Sequence, residues 1–146
     1  MKVSSIRSAA KFRQTVLIID DQSTVLDIHA AILKSLNMNL KIVCMTNPIE
    51  ALEWTKNKQV DLIITDFRMH QMDGMQFINT INSVGDGPPR PIIVVTVLKD
   101  IKIHQELLAA GASACLTKPV QTEKLSKVAR HILEQSQQFY SPLLTE

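Results

Sequence analysis

The sequence has few cysteines and no long apolar run, and both absences narrow the class of protein. Only two cysteines occur among 146 residues, Cys44 and Cys115, and they lack the paired spacing of a zinc or redox motif. No stretch approaches the roughly 20 apolar residues of a membrane span, and the start lacks the apolar segment of a signal peptide. We therefore expect a soluble cytoplasmic protein with two buried structural thiols.

Charge is unevenly distributed along the chain. Four of the 16 basic residues lie in the first 13 positions, so 12 remain against 14 acidic residues. We predict that residues 1–13 form a flexible basic extension without an activity of its own, although contact with nucleic acid or an anionic surface stays an alternative. The rest of the chain contains no helix-turn-helix and no interleaved basic and aromatic residues. Direct nucleic-acid binding is therefore not predicted.

A regular alternation of segment types follows the extension. Short apolar runs alternate with segments whose apolar residues recur at helical spacing, which is typical of an α/β fold with a parallel sheet. The length and the 45% apolar content indicate one domain, which we assign to residues 14–135, with a tail or the start of a linker at 136–146. The predicted strands lie near 15–20, 40–45, 61–66, 92–96 and 114–116. The predicted helices lie near 23–36, 48–54, 75–82, 101–110 and 122–138, the first two capped by Ser23 and Asn47.

Polar side chains stand where the predicted strands end. Asp20 and Asp21 end the first strand, Asp66 ends the third, Thr96 ends the fourth, and Lys118 follows the fifth. Right-handed crossovers bring the carboxyl ends of parallel strands to one edge, where such sheets bind ligands. Each residue alone could be a solvated strand end. Together they predict a site with three carboxylates, one hydroxyl and one ammonium.

Such a set is suited to phosphoryl transfer. Three crowded anions need a cation, most simply Mg²⁺, which prefers oxygen ligands and leaves positions for phosphate oxygens. A carboxylate can then act as the nucleophile toward phosphorus. Lys118 would pair with the acceptor carboxylate and later with phosphate, and Thr96 would donate its hydroxyl to a phosphoryl oxygen.

The chain resembles the receiver domain of bacterial two-component response regulators over about residues 15–135. The resemblance rests on the pair Asp20-Asp21, on Asp66 in an Asp-x-x-Met-x-x-Met-Asp-Gly context, on Thr96, and on Lys118-Pro119. It implies a flavodoxin-like, five-stranded parallel sheet in order 2-1-3-4-5 with helices on both faces. It also implies a signalling phosphoprotein rather than an enzyme. A sensor histidine kinase or a phosphotransfer protein would pass its phosphoryl group to Asp66.

The resemblance assigns further roles around this acceptor. Asp21 and Asp66 would bind Mg²⁺ directly, Asp20 would act largely through water, and the backbone carbonyl of Arg68 would complete the protein ligands. The peptide between Lys118 and Pro119 would be cis. In the implied strand order the two cysteines lie at opposite sheet edges, so an intramolecular disulfide is not expected.

Three positions depart from the family pattern. Cys115 stands where most receivers have an aromatic residue that swings inward on activation, so the usual aromatic readout is not expected. Val97 is bulky where Ala or Gly is usual, and we expect it to alter the rates of phosphorylation and dephosphorylation. His70 replaces a common proline, which predicts a more mobile and locally titratable loop.

No output motif follows the predicted receiver. The chain could act alone on a downstream partner when phosphorylated, or it could be part of a longer regulator. Leu125, Val128, Ile132 and Phe139 form a helical seam that predicts packing on the sheet for the first three, whereas Phe139 could also begin a signalling helix. The Thr96-Val97 pair and residues 66–69 are similar to receivers attached to HD-GYP cyclic-di-GMP phosphodiesterases.

The resemblance also implies an output surface formed by the fourth helix, the fifth strand and the fifth helix. Ile101 and Ile103 are predicted to be partly exposed there. They could pack locally, or they could support a homodimer that forms on phosphorylation.

A pseudo-receiver and a phosphatase are the two alternatives to the phosphoacceptor function. An unphosphorylated pseudo-receiver would act only as a protein-interaction module, and the complete set of charged residues argues against it. A metal-dependent phosphatase of similar topology commonly has a second aspartate two residues after its nucleophile. Arg68 occupies that position, so hydrolysis of external substrates is not predicted.

Overall fold

The computed structural model describes residues 13–83 and 90–145, with side chains of the last helix described up to residue 137. The predicted basic extension, apart from Arg13, lies outside the described residues, and so does the side chain of Phe139. Among the described helices, none has both the length and the apolar character needed to cross a membrane.

Within these residues, strands and helices alternate along the chain and match the predicted α/β pattern closely. The last helix extends beyond its predicted end. In chain order the elements are β1 (Gln14–Ile19), α1 (Ser23–Lys34), β2 (Leu40–Met45), α2 (Pro48–Thr55), β3 (Leu62–Asp66), α3 (Gly74–Ser83), β4 (Ile92–Thr96), α4 (Ile101–Ala109), β5 (Ala114–Thr117) and α5 (Thr122–Thr145).

The described strands form one parallel sheet in the order β2-β1-β3-β4-β5, which confirms the expected topology. Successive side chains of a strand point to opposite faces of a sheet, so the buried central strands supply both halves of the core. Val16 and Ile18 of β1 pack with α1 and α5 on one face. Leu17 and Ile19 pack with α2, α3 and α4 on the other. Helices therefore cover both faces and leave the strand ends open.

The two predicted helix caps have different outcomes. Asn47 caps α2 as predicted, because its side chain accepts hydrogen bonds from the backbone N–H groups of Ile49 and Glu50. The prediction that Ser23 caps α1 is wrong. Gln22 is the N-cap residue and makes no side-chain capping bond. Its backbone N–H donates to Asp20 instead, over 2.9 Å, so the turn out of β1 places Ser23 inside the helix.

The apolar seam of α5 packs on the sheet as predicted for its described side chains. Leu125 is fully buried, and Val128 and Ile132 pack against the same core cluster. A polar contact also fastens this helix to β1. The Gln14 side chain donates to the Leu133 carbonyl over 2.9 Å and accepts from the Gln137 amide over 3.0 Å.

The prediction of two buried thiols is wrong. Cys44 is exposed and Cys115 is half-buried, and both are free. They lie on β2 and β5, the two edge strands, as the expected strand order required. Helices cover an edge strand less completely than a central one, so side chains at these positions keep contact with solvent.

A Schellman motif ends α4. The backbone N–H groups of Gly111 and Ala112 donate to the carbonyls of Leu108 and Leu107 over 3.1 and 3.0 Å. Gly111 has φ of +122°, and a Cβ there would lie 2.7 Å from the side-chain nitrogen of Asn82. The backbone conformation therefore favours glycine, and the Asn82 side chain would have to shift to admit a Cβ.

We predict that Gly111→Ala lowers the free energy of unfolding by about 1–3 kcal/mol, from backbone strain and the clash together. Urea denaturation followed by circular dichroism measures the loss. Asn82→Ala removes the clashing nitrogen, so Gly111→Ala should cost less in that background than in the wild type. An equal or greater stability of Gly111→Ala alone would contradict this prediction.

Candidate functional site

Three carboxylates meet at the C-terminal ends of β1 and β3. These strands are hydrogen-bonded neighbours with Ile19 opposite Thr65, so the next residues, Asp20 and Asp66, lie side by side. Asp21 completes the cluster. One oxygen of each acid lies within 4.8 Å of the others. Asp20 is only 1% exposed, so water can do little to reduce the repulsion there.

Lys118 brings a positive charge into this cluster from β5. Its Nζ lies 2.8 Å from Asp20 Oδ2 and 3.0 Å from Asp66 Oδ1, and its side chain is 16% exposed. Its backbone N–H donates to the Thr96 carbonyl over 2.7 Å, and the Lys118–Pro119 peptide is cis, the isomer that the resemblance implies. One ammonium between two of three acids leaves an excess of negative charge when all three are ionised.

Burial and charge set the protonation of this pair. Burial raises the pKa of Asp66, the hydrogen bond from Lys118 opposes that rise, and the charge of Asp20 adds to it. Burial by itself would lower the pKa of Lys118, but hydrogen bonds to Asp20 and Asp66 outweigh it, so the pKa is raised. Lys118 therefore stays protonated, while ionisation of Asp66 is less favourable than in water.

Thr96 is buried at the end of β4, and its hydroxyl is engaged with the following loop. Thr96 Oγ1 accepts a hydrogen bond from the Leu98 N–H over 3.1 Å. The Leu98 carbonyl accepts one from Nε2 of His104, in α4, over 2.7 Å. The sequence prediction missed His104, because no motif or spacing marks a histidine that acts through a loop carbonyl. Only the folded loop brings these groups together.

The loop after Asp66 is closed by hydrogen bonds at both ends. The Phe67 N–H donates to Asp66 Oδ1 over 2.9 Å, and the Gly74 N–H donates to the Phe67 carbonyl over 2.6 Å. Asp73 and Gln76 exchange side-chain-to-backbone bonds of 2.8 and 2.9 Å at the start of α3, which is a capping box. A Cβ on Gly74 would lie 3.1 Å from the Phe67 ring, so a larger residue there would have to displace Phe67 slightly.

The three atypical positions lie at different places around the acids. His70, in the closed loop, has Nδ1 2.9 Å from Asp21 Oδ2, and its side chain is 85% exposed. Val97 directly follows Thr96 and is 62% exposed. Cys115 lies on β5 and lines a groove together with His104 and Lys99. The side chain of Arg68 is exposed at the start of the same loop as His70.

The acid cluster has the donor chemistry of a metal site. Its carboxylates offer hard oxygen ligands from two adjacent strands, and the charge of Lys118 does not balance theirs. Asp20, Asp21 and Asp66 could therefore hold a metal ion beside a carboxylate that can act as a nucleophile.

Comparison with known proteins finds relatives of similar sequence. The chain is 30% identical over 123 residues to the cyclic di-GMP phosphodiesterase response regulator RpfG of Xanthomonas campestris pv. campestris (strain 8004), a match that covers 84% of this chain and 32% of that relative. The chain thus spans about a third of that relative's length.

Solved structures match over nearly their whole length. A response regulator receiver domain from Clostridium thermocellum superposes with a TM-score of 0.75 at 25% identity, covering 86% of this chain and 98% of that one. The signal receiver domain of a putative Luxo repressor protein from Vibrio parahaemolyticus superposes with a TM-score of 0.79 at 20% identity, covering 90% and 98%. The likeness to the second structure shows the fold alone.

The family model described as the response regulator receiver domain matches residues 16–130. This match begins within β1, covers the other four strands of the sheet, and contains the acid cluster, Thr96 and Lys118. The chain belongs to the response regulator receiver domain family.

Proposed function

We propose that the chain is the phosphoacceptor of a two-component phosphorelay and accepts a phosphoryl group on Asp66 from the phosphohistidine of a histidine kinase or phosphotransfer protein. The observation that carries the proposal is the bridge of Lys118 between Asp20 and Asp66 inside the acid cluster. This bridge holds the Lys118 ammonium beside the Asp66 carboxylate, where the negative charge of a phosphoryl group would be added. Such kinases deliver their phosphoryl groups in the cytoplasm, where we place the protein.

Mg²⁺ is the proposed cofactor, held by Asp20, Asp21 and Asp66 with the backbone carbonyl of Arg68. When bound, it supplies positive charge to the acids and to the incoming phosphoryl oxygens. An all-oxygen carboxylate set supports this choice of a hard ion.

The chain's own residues then account for the transfer. An Asp66 oxygen attacks phosphorus, and the new P–O bond forms as the P–N bond to the donor histidine breaks, with the bonding pair left on the imidazole nitrogen. Lys118 turns from Asp66 to a phosphoryl oxygen while Asp20 keeps it in place. The Thr96 hydroxyl leaves its bond with the Leu98 N–H and donates to another phosphoryl oxygen.

That movement of Thr96 would transmit the phosphorylation state of Asp66 to the protein surface. The Leu98 N–H loses its acceptor, and the loop that contains Leu98, which is hydrogen-bonded to His104 of α4, is free to rearrange against that helix. With Cys115 in place of an aromatic side chain, this loop carries the signal to α4, β5 and α5. We propose that this surface binds the downstream partner or output domain. The similarity to RpfG makes a cyclic-di-GMP phosphodiesterase domain the candidate output.

We predict that wild-type protein becomes labelled by acetyl phosphate in the presence of Mg²⁺ and that Asp66→Asn does not, because the amide cannot act as the nucleophile. Intact-mass spectrometry measures the label. Asp73→Asn serves as the matched control, since asparagine also caps a helix and should label normally. Chelation with EDTA should abolish wild-type labelling. The absence of label on both wild type and Asp66→Asn would instead favour the pseudo-receiver.

We predict that Val97→Ala raises the labelling rate and shortens the lifetime of the phosphoryl group. Removing a bulky side chain next to Thr96 opens the approach for donors and for water. Relief of about 1 kcal/mol corresponds to about a fivefold change in rate. Val97→Ile keeps the bulk and should behave like the wild type. The steric hypothesis is refuted if Val97→Ala leaves both the labelling rate and the half-life unchanged.

We predict that the phosphoryl mimic beryllofluoride promotes a homodimer through α4, β5 and α5. Ile101 on α4 is 71% exposed and Leu108 on the same helix is 45% exposed, whereas Ile103 packs partly against the core. Ile101 is therefore the more exposed apolar contact that α4 offers to a second copy. Sedimentation velocity should show a dimer for wild type and a monomer for Ile101→Lys. Ile28→Lys is the control, since Ile28 on α1 is also exposed, at 58%. A wild-type monomer with and without the mimic would remove the dimer proposal.

A further inference from the structure

The backbone of Leu98 is held from two directions. Its N–H donates to Oγ1 of Thr96 over 3.1 Å, and its carbonyl accepts from Nε2 of His104 over 2.7 Å. A carbonyl oxygen can only accept, so Nε2 of His104 carries the hydrogen of this bond. One loop residue therefore connects the hydroxyl at the end of β4 to a side chain of α4.

The loop between β4 and α4 is short, and Leu98 is its one inward contact. Of residues 97–100, Leu98 is half-buried and the other three are exposed. The Asp100 side chain caps α4 by accepting from the Lys102 N–H over 2.9 Å. The loop is thus attached to α4 at its end by the cap and in its middle by His104.

The Thr96 hydroxyl cannot turn toward a phosphoryl group without disturbing this arrangement. The backbone of Thr96 is held in place, because its carbonyl accepts from the Lys118 N–H over 2.7 Å. Rotation of the Thr96 side chain would leave the Leu98 N–H without its acceptor, and an unpaired N–H is costly in a partly buried position. Leu98 must then move to find another acceptor, and its bond with His104 opposes that movement.

We propose that His104 is a positioning residue that holds Leu98 against Thr96 and thereby disfavours phosphorylation of Asp66. Its bond with Leu98 belongs to the unphosphorylated state and is lost when the Thr96 hydroxyl binds a phosphoryl oxygen. By linkage, a bond made only in that state weakens the binding of a phosphoryl mimic by the corresponding factor. The inference rests on the proposed function, because it requires that Thr96 bind a phosphoryl group carried by Asp66.

Other roles for His104 make different predictions. If its bond with Leu98 persisted in both states, removal of the bond would leave the affinity for a phosphoryl mimic unchanged. If the bond supported only the phosphorylated state, its removal would weaken that affinity. The proposed role predicts that removal of the bond strengthens the binding.

Substitutions that differ in the hydrogen-bond donor test this role. Leucine and glutamine both favour helices and both fill part of the space of the imidazole, but only glutamine keeps an N–H. We predict that His104→Leu binds beryllofluoride about fivefold more tightly than the wild type, the order expected for one hydrogen bond. His104→Gln should bind as the wild type does. Titration at saturating Mg²⁺, followed by the amide signals in NMR spectra, measures the affinity.

Two further variants serve as controls for these substitutions. His104→Met also lacks a donor and should match His104→Leu, so the test survives if leucine is poorly tolerated at this position. His131→Leu replaces an exposed histidine on α5 and should leave the affinity unchanged. Unchanged or weaker binding in the donorless variants, or equal tightening in His104→Gln, would overturn the positioning role and leave the phosphoacceptor proposal intact.

A Thr96→Ala background shows whether His104 acts through Thr96. Without the hydroxyl, Leu98 has no bond to release, so His104→Leu should change the affinity for beryllofluoride by less than about twofold in this background. An effect that persists in full there would overturn the inference. Failure of the wild type to bind beryllofluoride in the presence of Mg²⁺ would instead contradict the proposed function, and the inference with it.

Discussion

Crowding of like charges at the ends of β1 and β3 is the constraint on which the site depends. Parallel pairing places Asp20 beside Asp66, and Asp20 is too buried for water to screen it. Repulsion of this kind costs stability in the folded protein and is relieved when positive charge binds. The acid cluster therefore has a built-in preference for a cation.

Lys118 supplies part of the positive charge that the acids require, and its contacts connect the strands. Its ammonium contacts acids that follow β1 and β3, while its backbone bonds to Thr96 at the end of β4. One residue after β5 is thus coupled to three other strand ends. The ammonium of Lys118 and the hydroxyl of Thr96 therefore lie at the same edge of the sheet.

The atypical residues lie around the acid cluster, Thr96 and Lys118 and do not replace them. Cys115 lies on β5, and the hydrogen bonds from the Leu98 N–H to Thr96 and from His104 to the Leu98 carbonyl link the end of β4 to α4. His70 lies beside the acid cluster and contacts Asp21. The fold is common to many signalling proteins, so what distinguishes this chain lies in its side chains.

The sequence by itself determined the strands, the parallel sheet and the convergence of the acids with Lys118, because apolar runs and right-handed crossovers leave little freedom in where strand ends lie. Contacts between segments decided the rest. The backbone bond to Asp20 displaced the expected cap at Ser23, and the sheet edges left Cys44 exposed. The contacts of His104 with Leu98 and of His70 with Asp21 join residues whose spacing follows no period. Such contacts depend on how loops close in three dimensions, so only the tertiary structure could establish them.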